Sequence, residues 1–233
     1  MKKSRLSLLL LPCLLGACFA PRLTGIPFGD QVVVDGFRKR VQGPYPAAYR
    51  AQHRVTLSFY GRQFDFTGYL LVKRRGAWRA AAFGEFGGSL FELAAVPGKA
   101  VRVIKKPGAI RKSWLTGPAA DLVELLFLPP AADAPVVVSK RGASVILAYL
   151  RKNGVQEEFR FAEEQGGEQA ERFTVLRNGA AYEVEYSDYA AVPGVERKVP
   201  RHIVVENKKA QLKLEADLLK LEPGELPEKL FYE

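Results

Sequence analysis

Between residues 53 and 221 turn dipeptides recur so regularly, and apolar residues alternate so often, that little except a long antiparallel sheet fits the chain. Arg141-Gly142, Asn153-Gly154, Gly166-Gly167 and Asn178-Gly179 divide its second half at intervals of about twelve residues, the length of a strand plus a tight turn. Strands are expected at 135–140, 143–151, 156–162, 171–177, 180–187 and 201–206, with a last amphipathic one at 211–221. Upstream, 53–59 alternates cleanly and Gly61-Arg62 makes a turn. Phe64, Phe66, Leu70 and Val72 then share one face of a second strand. Further strands fall at 78–86, 90–95 and 101–104. Between Leu115 and Leu128 the period becomes helical: Thr116 offers a cap, Pro118 suits a first turn, and Leu122, Leu125 and Leu126 form an apolar stripe ended by Pro129-Pro130. An earlier helix is expected over 30–41, where Val33, Phe37 and Val41 lie at helical spacing behind Asp30. The expected class is mainly β with helices, α+β. Its sheet would be strongly curved and antiparallel, forming an unclosed half-barrel with a helix packed in or over its concave face.

The other informative stretch is the beginning. Met1-Lys2-Lys3-Ser4-Arg5 leads into an apolar run too short to span a bilayer, and Leu15-Gly16-Ala17-Cys18 closes it. This resembles a bacterial lipoprotein signal, in which the cysteine receives diacylglycerol and becomes the acylated N-terminus. Cys18 is therefore the expected lipidation site. The expected organisation is a signal peptide at 1–17, a Pro- and Gly-rich tether at 18–29 and one domain at 30–233. The alternative is ordinary secretion with cleavage after Ala20. At about 0.8 kcal/mol per buried CH₂, two or three acyl chains hold a domain at a membrane durably.

Cys13 would leave with the signal and Cys18 would carry lipid, so no disulfide or cysteine metal site is expected in the domain. The full chain carries +10; three of its basic residues lie in 1–17, which leaves +7. Basic pairs such as Lys105-Lys106 and Lys208-Lys209 sit where strand patterns end. They are either ordinary solvated hairpin ends or a surface attracted to an anionic membrane or an acidic client. The acidic stretch from Glu157 to Glu171 reads as a solvated edge. No nucleic-acid partner is expected.

Catalytic chemistry is not legible. His53 and His202 have no second ligand nearby, Glu157-Glu158 point to opposite faces of a strand, and no nucleophile elbow, phosphate loop or dinucleotide fingerprint occurs. Neither an enzyme nor a cofactor is expected. Aromatic residues concentrate instead in the first sheet. Phe59, Phe64, Phe66, Tyr69, Trp78, Phe83 and Phe91, with Leu122, Leu125 and Leu126 of the helix, either fill a core or line a cavity suited to acyl chains.

The order of elements, the string from Phe83 through Gly84-Glu85-Phe86-Gly87-Gly88 to Pro97-Gly98, the segment Trp114-Leu115-Thr116-Gly117-Pro118, and the ending at Val199-Pro200-Arg201-His202 resemble the LolB family of outer-membrane lipoproteins, which receive lipoproteins from the soluble carrier LolA. The resemblance implies an open barrel that binds acyl chains of lipoproteins or related lipids and aids their transfer to the outer membrane. Implied partners are an acylated lipoprotein or lipid, the outer-membrane surface and a LolA-like carrier. The chain would act as a monomer at the periplasmic face. Phe86 matches the family's protruding apolar turn residue, implicated in handing the client to the membrane; otherwise it folds back onto the sheet. Phe19 after Cys18 is not the aspartate that commonly retains lipoproteins in the inner membrane of enteric bacteria. The rival expectation is a lipid-anchored envelope-assembly protein with a packed interior, acting through protein partners.

Overall fold

The computed structural model describes residues 26–27, 36, 45–73, 76–108, 110–128, 136–141, 144–150, 156–162, 171–177 and 179–232. The signal, Cys18 and nearly all of the helix expected over 30–41 lie outside them. Ile26–Pro27 (β1), inside the expected tether, pairs with the strand Val136–Arg141.

The first wing of the sheet is a meander: β2 (Ala48–Phe59), β3 (Arg62–Lys73), β4 (Ala77–Phe83), β5 (Ser89–Ala95) and β6 (Arg102–Lys105). The second is another: β7 (Val136–Arg141), β8 (Ser144–Leu150), β9 (Gln156–Ala162), β10 (Glu171–Arg177), β11 (Ala180–Ala190), β12 (Val199–Asn207) and β13 (Leu212–Pro223). Both wings are built by antiparallel pairing of strands that follow one another in the chain. A long-range pairing joins them: β13 runs antiparallel to β2 from Leu212↔Phe59 to Pro223↔Tyr49, with a bulge between Leu218 and Lys220. Among the described residues the result is one thirteen-stranded antiparallel sheet with β1 and β6 at its two edges, an unclosed half-barrel.

Alternation selects the inner face. In β2 the odd residues Tyr49, Ala51, His53, Val55 and Leu57 are buried, and in β4 it is Trp78, Ala80 and Ala82 that point inward. All of these but His53 and Ala82 join inner residues of the second wing, including Leu147, Phe159, Phe173, Val184 and Ile203, in one apolar cluster with the central helix.

That helix differs from its expected form. It starts at α1 (Lys112–Trp114), passes through a π-turn at Leu115–Ala119 and continues as α2 (Ala120–Phe127). Thr116 does not cap it. Its hydroxyl donates back to the Lys112 carbonyl at 3.2 Å, and Pro118 lies inside the widened turn. A proline without an N–H to contribute is accommodated by such a turn, so what read as a start signal is an interior irregularity. The strand expected at 78–86 stops at Phe83, because the Gly84 and Gly87 N–H groups bond to Gly88 and Gly84 carbonyls at 2.9 Å, with Gly87 at φ +74°. Glu157 also departs from expectation: β9 lies between β8 and β10, not at an edge, and Glu157 is fully buried there. The tail forms α3 (Lys229–Tyr232) against the outer face of β4 and β5, where Arg79 donates to the Leu230 carbonyl at 2.8 Å and Arg102 to that of Phe231 at 3.1 Å.

Candidate functional site

Small inward residues of the first wing leave a gap under the helix. Gly68 of β3 stands directly opposite Ala82 of β4 and also opposite His53 of β2, while Ala80 faces Leu70 and Leu93 across its two ladders. Larger apolar side chains surround this floor: Val55, Leu57, Phe66 and Phe91 from the sheet, with Ala119, Leu122, Val123, Leu126 and Phe127 from the helix. The cavity measures about 110 Å³ and its walls are almost wholly apolar. An enclosed apolar cavity of about 150 Å³ admits benzene, so this smaller, partly open one takes a few methylene groups in the present state.

Of the residues expected around such a space, Phe66, Phe91, Leu122 and Leu126 line it. Tyr69 borders both this cavity and a groove on the outer face, where its ring meets Phe83 edge-on at 5.3 Å. Phe83 lies in that outer groove with Arg79, Glu92 and Gly84. Trp78 and Leu125 are buried in the core away from the cavity, Phe59 packs on Tyr60 and Trp114, and Phe64 is half exposed near the end of its hairpin. Sequence reasoning missed the floor. Gly68, Ala80 and Ala82 carried its signal, being small residues at even positions of two adjacent strands whose other inward side chains are large.

His53 was not placed at any site from the sequence, yet its side chain lines the cavity at 3% exposure with its ring 5.1 Å from that of Phe127. Burial alone pushes its pKa from the ordinary 6.5 down to about 4, so it is neutral at physiological pH. His202 lies across from Asp217 on the exposed side of β12, with Nδ1 and Oδ1 2.7 Å apart.

The opposite flank of the helix is held by charge. Arg177 of β10 points inward with its side chain at 3% exposure and lies 3.1 Å from the Asp121 carboxylate, against the Glu124 carboxylate and 3.5 Å from that of Glu157. It also donates to the Asp121 backbone carbonyl at 3.2 Å. Burial lowers the Arg177 pKa, but the hydrogen bond it donates to Glu124 and the charges of Glu157, Asp121 and Glu124 outweigh it and raise the net value. The Tyr186 hydroxyl adds a bond to the Leu126 carbonyl at 3.3 Å. Polar groups of β10 and β11 thus pin one side of the helix, while its other side meets the cavity through apolar contact.

At one end of the sheet the β2–β3, β4–β5 and β12–β13 turns open together. Phe86, at the tip of the Gly84–Gly88 loop, is 100% exposed, so it does not fold back onto the sheet. Tyr60 and Phe64 are exposed at the same end, and Arg62, Lys105, Lys106 and Lys209 are exposed around them with Glu85 as a nearby acid.

The sequence matches no described protein family and no curated protein. Solved structures do match the fold. The LolA superfamily protein NE2245 from Nitrosomonas europaea aligns with a TM-score of 0.53 at 10% identity, covering 83% of this chain and 94% of its own. A domain provisionally described as outer membrane lipoprotein-sorting, from Vibrio parahaemolyticus, aligns with a TM-score of 0.51 at 12% identity, covering 86% and 95%. The half-barrel with its enclosed helix is therefore a LolA-like fold.

Proposed function

We propose that this chain is a periplasmic acyl-chain-binding protein, tethered to the outer membrane through an acylated Cys18, that receives lipoproteins or related lipids and passes them to the membrane without a covalent step. The observation that carries this reading is the apolar cavity between the helix and β2–β5. A chain entering it gains about 0.8 kcal/mol per CH₂ removed from water. Because about 110 Å³ holds only a short piece of a chain, longer occupancy requires the helix to shift from the first wing. The donor would be a LolA-like carrier, and the protein would work as a monomer. The basic end bearing Phe86 would face the lipid, since exposed aromatics and cationic side chains both favour an anionic surface.

Filling the floor tests the cavity. Ala82→Leu places three more carbons beside Gly68 and removes room for as many methylenes, so uptake of an acylated peptide should weaken by about 2 kcal/mol, over tenfold. Thermal melting checks that the variant folds. Uptake equal to that of the original protein would mean that acyl chains bind elsewhere, and a protein that ignores acylated peptides and copurifies with no lipid would favour a packed assembly protein.

Phe86→Glu tests delivery. Inserting a phenyl ring into the interface is worth roughly 1.5–3 kcal/mol, so transfer of the bound client to liposomes should slow at least tenfold with stability unchanged. Undiminished transfer would remove Phe86 from the mechanism.

A further inference from the structure

One titratable side chain, His53, stands out among the described residues in the otherwise apolar lining of the cavity. The Nε2 of His53 is buried and has no hydrogen-bond partner, although the great majority of buried polar atoms in folded proteins do. Among the described residues that line the cavity none bonds to it: the others are aliphatic or aromatic side chains and glycine, and neither the Tyr69 hydroxyl nor the Trp114 indole N–H is its partner. Histidine is a poor choice for a purely structural position here, since Val55 and Leu57 occupy the equivalent inward sites one and two steps along β2. Resting on the reading of the cavity as an acyl-chain site, we infer that His53 is the polar anchor of the ligand, donating from Nε2–H to a carbonyl oxygen at the head of the chain, so that the site selects acyl esters or amides over plain hydrocarbon. Its depressed pKa suits that role, because a neutral imidazole adds no charge to an apolar cavity and still carries one N–H to donate. The position also orients the ligand: His53 lies midway along β2, beside Phe127 at the end of the helix, so the carbonyl would rest there and the chain would extend over Gly68 and Ala82.

Trp114 lines the same cavity, which supplies a readout. The full chain in liposomes would be titrated with a brominated fatty acyl methyl ester and with a bromoalkane of equal length, both of which quench tryptophan on binding. The preference of the original protein for the ester should fall about five- to tenfold in His53→Leu, with bromoalkane binding kept or improved; partition into lipid is common to both proteins and cancels in the ratio. His53→Gln, which retains an N–H donor, should keep the preference within about twofold, and it serves as the comparison if the leucine variant does not fold, a His53→Phe variant then taking its place. An unchanged preference in His53→Leu, with both probes still bound, would overturn the anchor and leave the acyl-chain site standing. Failure of both probes to quench the original protein would overturn the site and the anchor together.

Discussion

Replacing Arg177 by methionine should destabilise the domain by about 3–5 kcal/mol and lower its melting temperature by on the order of 10 °C. The size follows from what is left behind. Glu157 is fully buried, and Asp121 and Glu124 approach the same guanidinium from the helix. Taking away the cation leaves three carboxylates without that counter-charge, the Glu157 one in full burial, which costs more than the cluster contributes net. The helix should suffer first, since the same side chain also holds the Asp121 carbonyl. Arg177→Lys separates charge from geometry: it keeps the cation but loses the planar fork that reaches several acceptors at once, and should cost about half as much. Urea unfolding of both variants checks the order. A methionine variant within 1 kcal/mol of the original would show that the carboxylates re-solvate freely and that the helix is held by apolar packing alone.

The strands were legible because alternation and turns report local geometry, and both survive without knowledge of partners. The ranges 156–162 and 171–177 match β9 and β10 to the residue, since glycine-bearing turn signals bracket them in the sequence. Faces were less well read. Aromatic character suggested that Phe83 and Tyr69 point toward the cavity, but in β3 and β4 the inward set is even-numbered, as Phe66, Leu70, Ala80 and Ala82 show, and parity was the better guide than size. The same parity sets His53 between inward Ala51 and Val55, a signal already present in the sequence. Pairings that span the chain had no local sign. Nothing in 212–223 or 48–59 announces that β13 joins β2, and nothing in Arg177 or Glu157 announces that opposite charges on neighbouring strands would be buried against the helix. The helix start was misplaced for a related reason: Arg111 supplies no side-chain cap, so the only visible signal, Thr116 with Pro118, belonged to the π-turn.

Acidification should unfold this domain earlier than its carboxylates alone would require, because the folded chain refuses a proton that the unfolded chain accepts. His53 has a pKa of about 4 when buried and about 6.5 when exposed. Above pH 6.5 the imidazole is neutral in both states and the difference contributes nothing against folding. Between pH 6.5 and 4 the unfolded state binds the extra proton, so stability falls as pH falls, by about 2 kcal/mol at pH 5 and about 3 kcal/mol at pH 4. Among the described residues, those lining the cavity with it include no carboxylate that could offset the charge. Urea unfolding at pH 7 and pH 5 on the original protein and on His53→Leu makes the comparison, with surface carboxylates common to both. The leucine variant should lose about 2 kcal/mol less on going from pH 7 to pH 5. Equal losses would mean that His53 takes up its proton in the folded state, and a cavity that tolerates an imidazolium would be wet, not the dry apolar space on which acyl-chain binding depends.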